Sequence, residues 1–202
     1  MARPANANPQ QTMRRLVEVA LTMFAQGGFH GTSTRELALA AGCNIATLNH
    51  YFGGKQGLYD STVDYVYERL RARGRDALAN IVPTDTHIVM SALYAVARAE
   101  RDGVRVLVRQ VLDHGRLTAH TEGKHFLPEL DRAAQMLAQL TGVSAARARD
   151  ATVTLGYLLS RFVIQDDRSL MAAFGVRSAK EAHARVVATL TTTARALLAH
   201  KE

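Results

Sequence analysis

Apolar positions recur at helical spacing along most of the chain. Leu16, Val19, Ala20, Met23 and Phe24 share one face, and Gly27-Gly28 follows, which predicts a first helix from about Gln10 to Gln26. Ser33 with Glu36 three residues later is a capping box in front of Leu37, Ala40 and Ala41. Gly42 stops that short helix, because glycine takes a left-handed cap without steric cost. Asn44 is placed to cap a third helix, about Asn44 to Tyr51, in which Ile45 and Leu48 face inward before Phe52. Leu58, Thr62, Val66 and Leu70 then mark a fourth helix, from about Gln56 into the seventies, joining the head to the rest. Arg69, Arg71, Arg73 and Arg75 crowd its end and read as a solvated terminus favoured by the helix dipole.

Pro83 and Thr84 break the chain, and a fifth helix runs to about Arg101. Asp102-Gly103 reads as a second break. Val104 to Asp113 alternates like a strand at Val104, Val106 and Val108, yet Leu107, Val108, Val111 and Leu112 suit a helix better. No second strand is available to pair with it, and a lone strand is unstable. His114 to Phe126 is polar and irregular. Pro128 opens a helix to about Leu140, and Ser144 caps another over about Ala145 to Gln165. A short helix from Leu170 to Phe174 precedes a capping box at Ser178 and Glu181, and the last helix runs to about His200. The expected fold is all-α, with about nine helices. An N-terminal arm and three-helix head occupy residues 1–56, and a helical body occupies residues 57–202.

Composition narrows the class. The 202 residues are 48% hydrophobic, enough for a substantial core. A net charge of +7 suits a polyanion partner but is weak evidence alone. The single cysteine, Cys43, excludes a disulfide framework and favours a cytoplasmic protein. No apolar run approaches the about 18 residues needed to span a bilayer, and the N-terminus has no secretory pattern, so no membrane partner is expected. No glycine-rich phosphate loop, nucleophile elbow or carboxylate pair in a recognisable setting is present, so neither enzymatic activity nor a cofactor is expected. His114, His120 and His125 form the one metal-like cluster. Their spacing matches no tight ligand motif, so they read as a solvated loop and no metal is expected.

The chemistry-bearing stretch is therefore Ser33 to Lys55. Two short helices joined by a tight glycine-containing turn are the unit that sets its second helix in a DNA major groove. Ser33-Thr34-Arg35-Glu36-Leu37-Ala38, Ala41-Gly42-Cys43-Asn44-Ile45-Ala46-Thr47-Leu48 and Tyr51-Phe52-Gly53-Gly54-Lys55-Gln56-Gly57-Leu58-Tyr59 closely resemble the DNA-binding domain of TetR-family transcriptional regulators. The likeness runs from near Met13 to about Val66. It implies that Ala38 and Gly42 are small so that the helices can cross closely. It assigns Asn44, Ile45, Ala46, Thr47 and Asn49 to the reading helix. It places Thr34, Arg35, His50 and Tyr51 at phosphates or groove edges, and Lys55 at a phosphate beside a helix start. Ile45 and Thr47 also suit local packing. Asn49 stands where the family usually has an aromatic residue, and it could donate to a phosphate or read adenine. Arg3, in the N-terminal arm, could reach a minor groove or remain solvated.

The same resemblance implies a body that dimerises and binds an effector. Dimerisation would use the last two long helices through Leu155, Leu158, Leu159, Phe162, Val187, Leu190, Ala194 and Leu197. The same stripes could instead form a core within one chain. Effector candidates are Met90, Tyr94, Arg109, Gln110, Phe126, Tyr157 and Arg161, with His87, Arg105 and His114 as further polar positions. The implied function is a ligand-responsive regulator, a repressor binding a palindromic double-stranded operator as a homodimer and released by a small molecule. The alternative is a helical protein-interaction module with a vestigial DNA head.

Overall fold

A computed structural model describes residues 9–79, 81 and 85–199. The N-terminal arm with Arg3, the Pro83-Thr84 break, His200 and the side chain of His114 lie outside the described residues. Helices α1 (Pro9–Gly27), α2 (Thr34–Ala40) and α3 (Ile45–Phe52) form the head. Helix α4 (Lys55–Leu78) leads into α5 (Thr86–Ala99) and α6 (Arg101–His114). A short α7 (Ala119–Thr121) runs into a π-turn (Glu122–Phe126), followed by α8 (Leu127–Thr141), α9 (Ala145–Ile164), α10 (Asp167–Phe174) and α11 (Ala179–Leu198). Among the described residues no strand occurs, and no helix is long and apolar enough to cross a membrane.

The helix ends follow the cap chemistry in the sequence. Ser33 and Glu36 form both halves of a capping box. Cys43 N–H reaches Ala38 O at 2.9 Å and Gly42 N–H reaches Leu39 O at 3.0 Å, the paired bonds of a Schellman turn with Gly42 at φ 64°. Ser144, Asp166 and Ser178 cap α9, α10 and α11 in the same side-chain-to-backbone manner.

Two apolar clusters hold the elements together. In the first, Leu16, Ala20 and Phe24 of α1 meet Leu37, Leu48 and then Leu58, Tyr59 and Val63 of α4, with Val106 of α6 closing the far side. The second gathers Tyr94, Val104, Val163, Leu170, Val186 and Leu190 from α5, α6, α9, α10 and α11. Helix α4 packs on α1 and α3 at one end and on α5 at the other, so it is the mechanical link between head and body.

Two readings of the body change. Asp102-Gly103 is no break, because both residues sit inside α6. A side chain at Gly103 would begin 2.8 Å from Val66 Cγ1, so glycine is there to let α6 cross close to α4. Val104 to Asp113 is helical throughout. Arg69, Arg71 and Arg73 are not part of a solvated terminus, whereas Arg75 is exposed as expected. Arg69 and Arg73 both reach the buried Glu100 carboxylate, at 2.8 and 2.6 Å, and Arg71 lies 2.6 Å from Glu129. These ion pairs tie the end of α4 to the α5–α6 junction and to α8.

Candidate nucleic-acid interface

The reading helix is fixed by a few inward side chains. Leu48 has no exposed surface, and Tyr51 and Phe52 pack against the head cluster. That leaves Ile45, Ala46, Asn49 and His50 on the open face. The inward reading of Ile45 is overturned: its side chain is 42% exposed. Leu48 and Phe52, four apart, define the inward stripe, and Ile45 and Asn49, also four apart, lie along its exposed edge. Asn44 caps the helix by accepting from Thr47 N–H at 2.7 Å and from the Thr47 hydroxyl at 2.8 Å. Asn44 and Thr47 are thus tied to each other at the tip of α3. Thr34, half-buried, and Arg35, exposed, begin α2, which packs directly on α3.

Lys55 departs from expectation. Its ammonium donates to the carbonyls of Phe29 and Thr32, at 3.0 and 3.2 Å, and sits 4.2 Å from the centre of the Phe29 ring. The charge is spent holding the α1–α2 loop against α4, rather than projecting outward. Thr32 reinforces the loop by donating to Gly28 O at 2.9 Å.

Charges around the head are settled by the same contacts. The Ser33 backbone N–H and hydroxyl hold the Glu36 carboxyl below its ordinary value. Burial pushes the Cys43 thiol up, the reverse of what a thiolate nucleophile needs.

A family model described as bacterial regulatory proteins, tetR family, matches residues 16–62, from mid-α1 into α4. Residues 16–62 are thus similar to the DNA-binding domain of tetR-family regulators. Members of that family are regulators rather than enzymes. The "Probable HTH-type transcriptional regulator YttP" of Bacillus subtilis (strain 168) is 39% identical over 75 residues, 37% of this chain and 36% of that protein. The "HTH-type transcriptional regulator BetI" of Vibrio campbellii is 30% identical over 84 residues, 42% of each chain. The chain therefore spans about two-fifths of the length of these curated relatives. A crystal structure of a TetR-like transcriptional regulator from Rhodococcus sp. RHA1 superposes with a TM-score of 0.68 at 19% identity, covering 98% of this chain and all of that one, which supports the fold across head and body.

The effector candidates of this chain do not share one site. Tyr94 lines a cavity of about 460 Å³ between α5 and α11, with His87, Arg98, His183 and Val187. Its hydroxyl lies 2.7 Å from His183 Nδ1. Arg109 instead clamps the end of α1, donating to Ala25 O and Gln26 O at 3.1 and 2.7 Å. Gln110 is buried, and its carbonyl accepts from Thr118 N–H at 3.1 Å. Met90 packs at the edge of the second cluster, and Phe126 closes the π-turn, half-buried. Tyr157 and Arg161 lie exposed on α9. Arg105 donates to Ile164 O at 3.3 Å. Arg98 and His183 escaped the sequence reading because α5 and α11 meet only in the fold. Arg98 itself is held by Val163 O, Gln165 O and Asp167.

Several expected interface residues are also placed inside one chain. Val187, Leu190 and Ala194 are buried within it, and Leu158, Leu159 and Phe162 pack at the edge of the same cluster. Leu155 and Leu197 are half-buried. The outer surface of α9 and α11 is carried instead by Tyr157, 64% exposed, with Gly156, Ala188 and Thr192.

The histidine reading is corrected as well. His125 is buried, stacked on Tyr67 with ring centres 4.4 Å apart and planes within 7°. His120 Nε2 and His125 Nε2 lie 2.7 and 2.6 Å from the same Asp64 Oδ1, while Lys124 Nζ sits 2.7 Å from Oδ2. Burial pushes the Asp64 carboxyl up, but the bonds from Lys124, His125 and His120 outweigh it and hold it at about 2. This is an ordered cluster joining α4 to the π-turn, not a solvated loop.

Proposed function

We propose that the chain is a repressor that binds a palindromic operator as a homodimer and releases it when a small molecule binds the body. The open face of α3 is the observation that carries this reading: Ile45, Ala46, Asn49 and His50 are presented together by a helix whose other side is locked by Leu48. Ile45 and Ala46 suit apolar contact with a thymine methyl, and Asn49 suits adenine N6 and N7. Asn44 and Thr47 set the tip of the helix against the groove, and Arg35, His50 and Tyr51 border the phosphates, with Thr34 starting α2 beside them. Lys55 supports this surface from behind.

One reading helix covers few base pairs, so useful specificity calls for two, related by a two-fold axis and about 34 Å apart. The outward faces of α9 and α11 around Tyr157 are the surface we assign to that pairing. The cavity between α5 and α11 is the effector site we favour in the body, because its lining combines apolar Val187 with the polar groups of Tyr94, His87 and His183. We place the division between DNA-binding and effector-binding parts at 56/57. It is a division of role, since Leu58 and Tyr59 complete the head core.

Selection from random double-stranded DNA tests the reading. The expected product is an inverted repeat with half-site centres about 10 base pairs apart, or a multiple of that. Enrichment of no common sequence would overturn it and favour a protein-interaction module.

A further inference from the structure

We propose that Asp64, His120 and His125 form a binding site for one divalent transition-metal ion of the zinc class, joining α4 to the α7–π-turn segment. The three ligand atoms, Asp64 Oδ1 and the two Nε2 atoms, all lie within 4.8 Å of one another. Ligands around such an ion, with bonds of about 2.0–2.2 Å, stand roughly 3.3–3.5 Å apart. The imidazoles now lie 2.7 and 2.6 Å from Asp64 Oδ1, so each of these two contacts needs to open by less than about 1 Å. Two imidazoles and one carboxylate select a borderline metal over magnesium or calcium, and three protein ligands leave a position open for water or a small anion.

The backbone makes this geometry possible. His120 and His125 are five residues apart, which in an α-helix would point them about 140° away from each other. Spanning His125, Leu127 N–H bonds to Glu122 O, an i→i+5 link, and the inserted residue of the π-turn returns His125 to the side of His120. Single π-turns of this kind are frequent at functional sites. Without an ion, both imidazoles lie within hydrogen-bond distance of one carboxylate oxygen.

The neighbouring cations can yield. Lys124 is half exposed and free to leave Asp64 for water. Arg71 Nη2 lies 2.7 Å from His125 Nδ1, and a guanidinium only donates, so the neutral ring carries its proton on Nε2. Ligation moves that proton to Nδ1 and releases Arg71, whose ion pair with Glu129 at 2.6 Å remains. No proton is lost in that exchange.

The test is a titration of the metal-stripped full chain with Co²⁺, read by its visible d–d absorption, followed by displacement with Zn²⁺. One ion per chain is expected, displaced by zinc. His120→Ala alters a partly exposed side chain, and Asp64→Asn preserves shape. Each should weaken binding by more than the about 10- to 100-fold typical of losing an outer-shell partner. On the unaltered protein, imidazole nitrogen resonances of two histidines should move with zinc. Absence of a bound ion, unchanged binding in both variants, or still histidine resonances would each overturn the proposal.

Discussion

Lys55 shows how a residue's role depends on what the fold brings beside it. By position it looks like a phosphate contact at a helix start, yet its ammonium is bonded to Phe29 O and Thr32 O. Lys55→Ala should therefore destabilise the protein by about 2 kcal/mol in urea unfolding, the range for hydrogen bonds from a charged donor. A variant of unchanged stability with weaker DNA binding would restore the phosphate role. Nothing in the sequence reveals this bond, because Phe29 lies 26 residues from Lys55. The Ser33 box and Asn44 cap, by contrast, were legible because each closes within three residues. Tyr59 supplies a second residue-scale outcome. Burial pushes its phenol from 10.0 up to about 12, so the fold favours the protonated form. That stability is fully present below pH 10 and is lost as pH rises from 10 towards 12. Tyr59→Phe should flatten unfolding against pH in that window, and an unchanged slope would count against the assignment.

At the scale of elements, periodicity identified the helices, and their partners emerged only on packing. Gly103 illustrates the difference. It looks like a breaker in the sequence, but its lack of a side chain sets the α4–α6 crossing against the fully buried Val66. Overpacking there costs about 1–3 kcal/mol, and alanine's better helix propensity returns about 1. Gly103→Ala should thus lower stability by about 0–2 kcal/mol; a gain would mean that the crossing is looser than described. The π-turn was hidden for a related reason. Its composition, with Gly123 and polar neighbours, resembles a loop, and order comes from Tyr67 and Asp64 on α4. Arg69, Arg71 and Arg73 of α4 were misread in the same way, since Glu100 and Glu129 reach them only after α5, α6 and α8 are in place.

At the scale of the whole molecule, the head stood out in the sequence because a reading helix needs a capped tip, a tight turn and a small core close together in the chain. The body did not, because pockets and interfaces are assembled from distant helices. Leu190 and Ala194 satisfy an apolar stripe whether they face a partner or their own core, and the fold places them in the core. Dimerisation through the Tyr157 face makes a definite demand: Tyr157→Glu should shift sedimentation equilibrium from dimer to monomer while helical content is preserved. A dimer as stable as before would move the interface elsewhere. The central claim is tested most directly by binding to a selected operator and a scrambled duplex across a salt series, for the unaltered chain and for Asn49→Ala. The account predicts operator preference, a loss of about 10³-fold or more in affinity between roughly 50 and 200 mM salt, and a weakened preference in the variant. Equal affinity for both duplexes, or binding indifferent to salt, would contradict it.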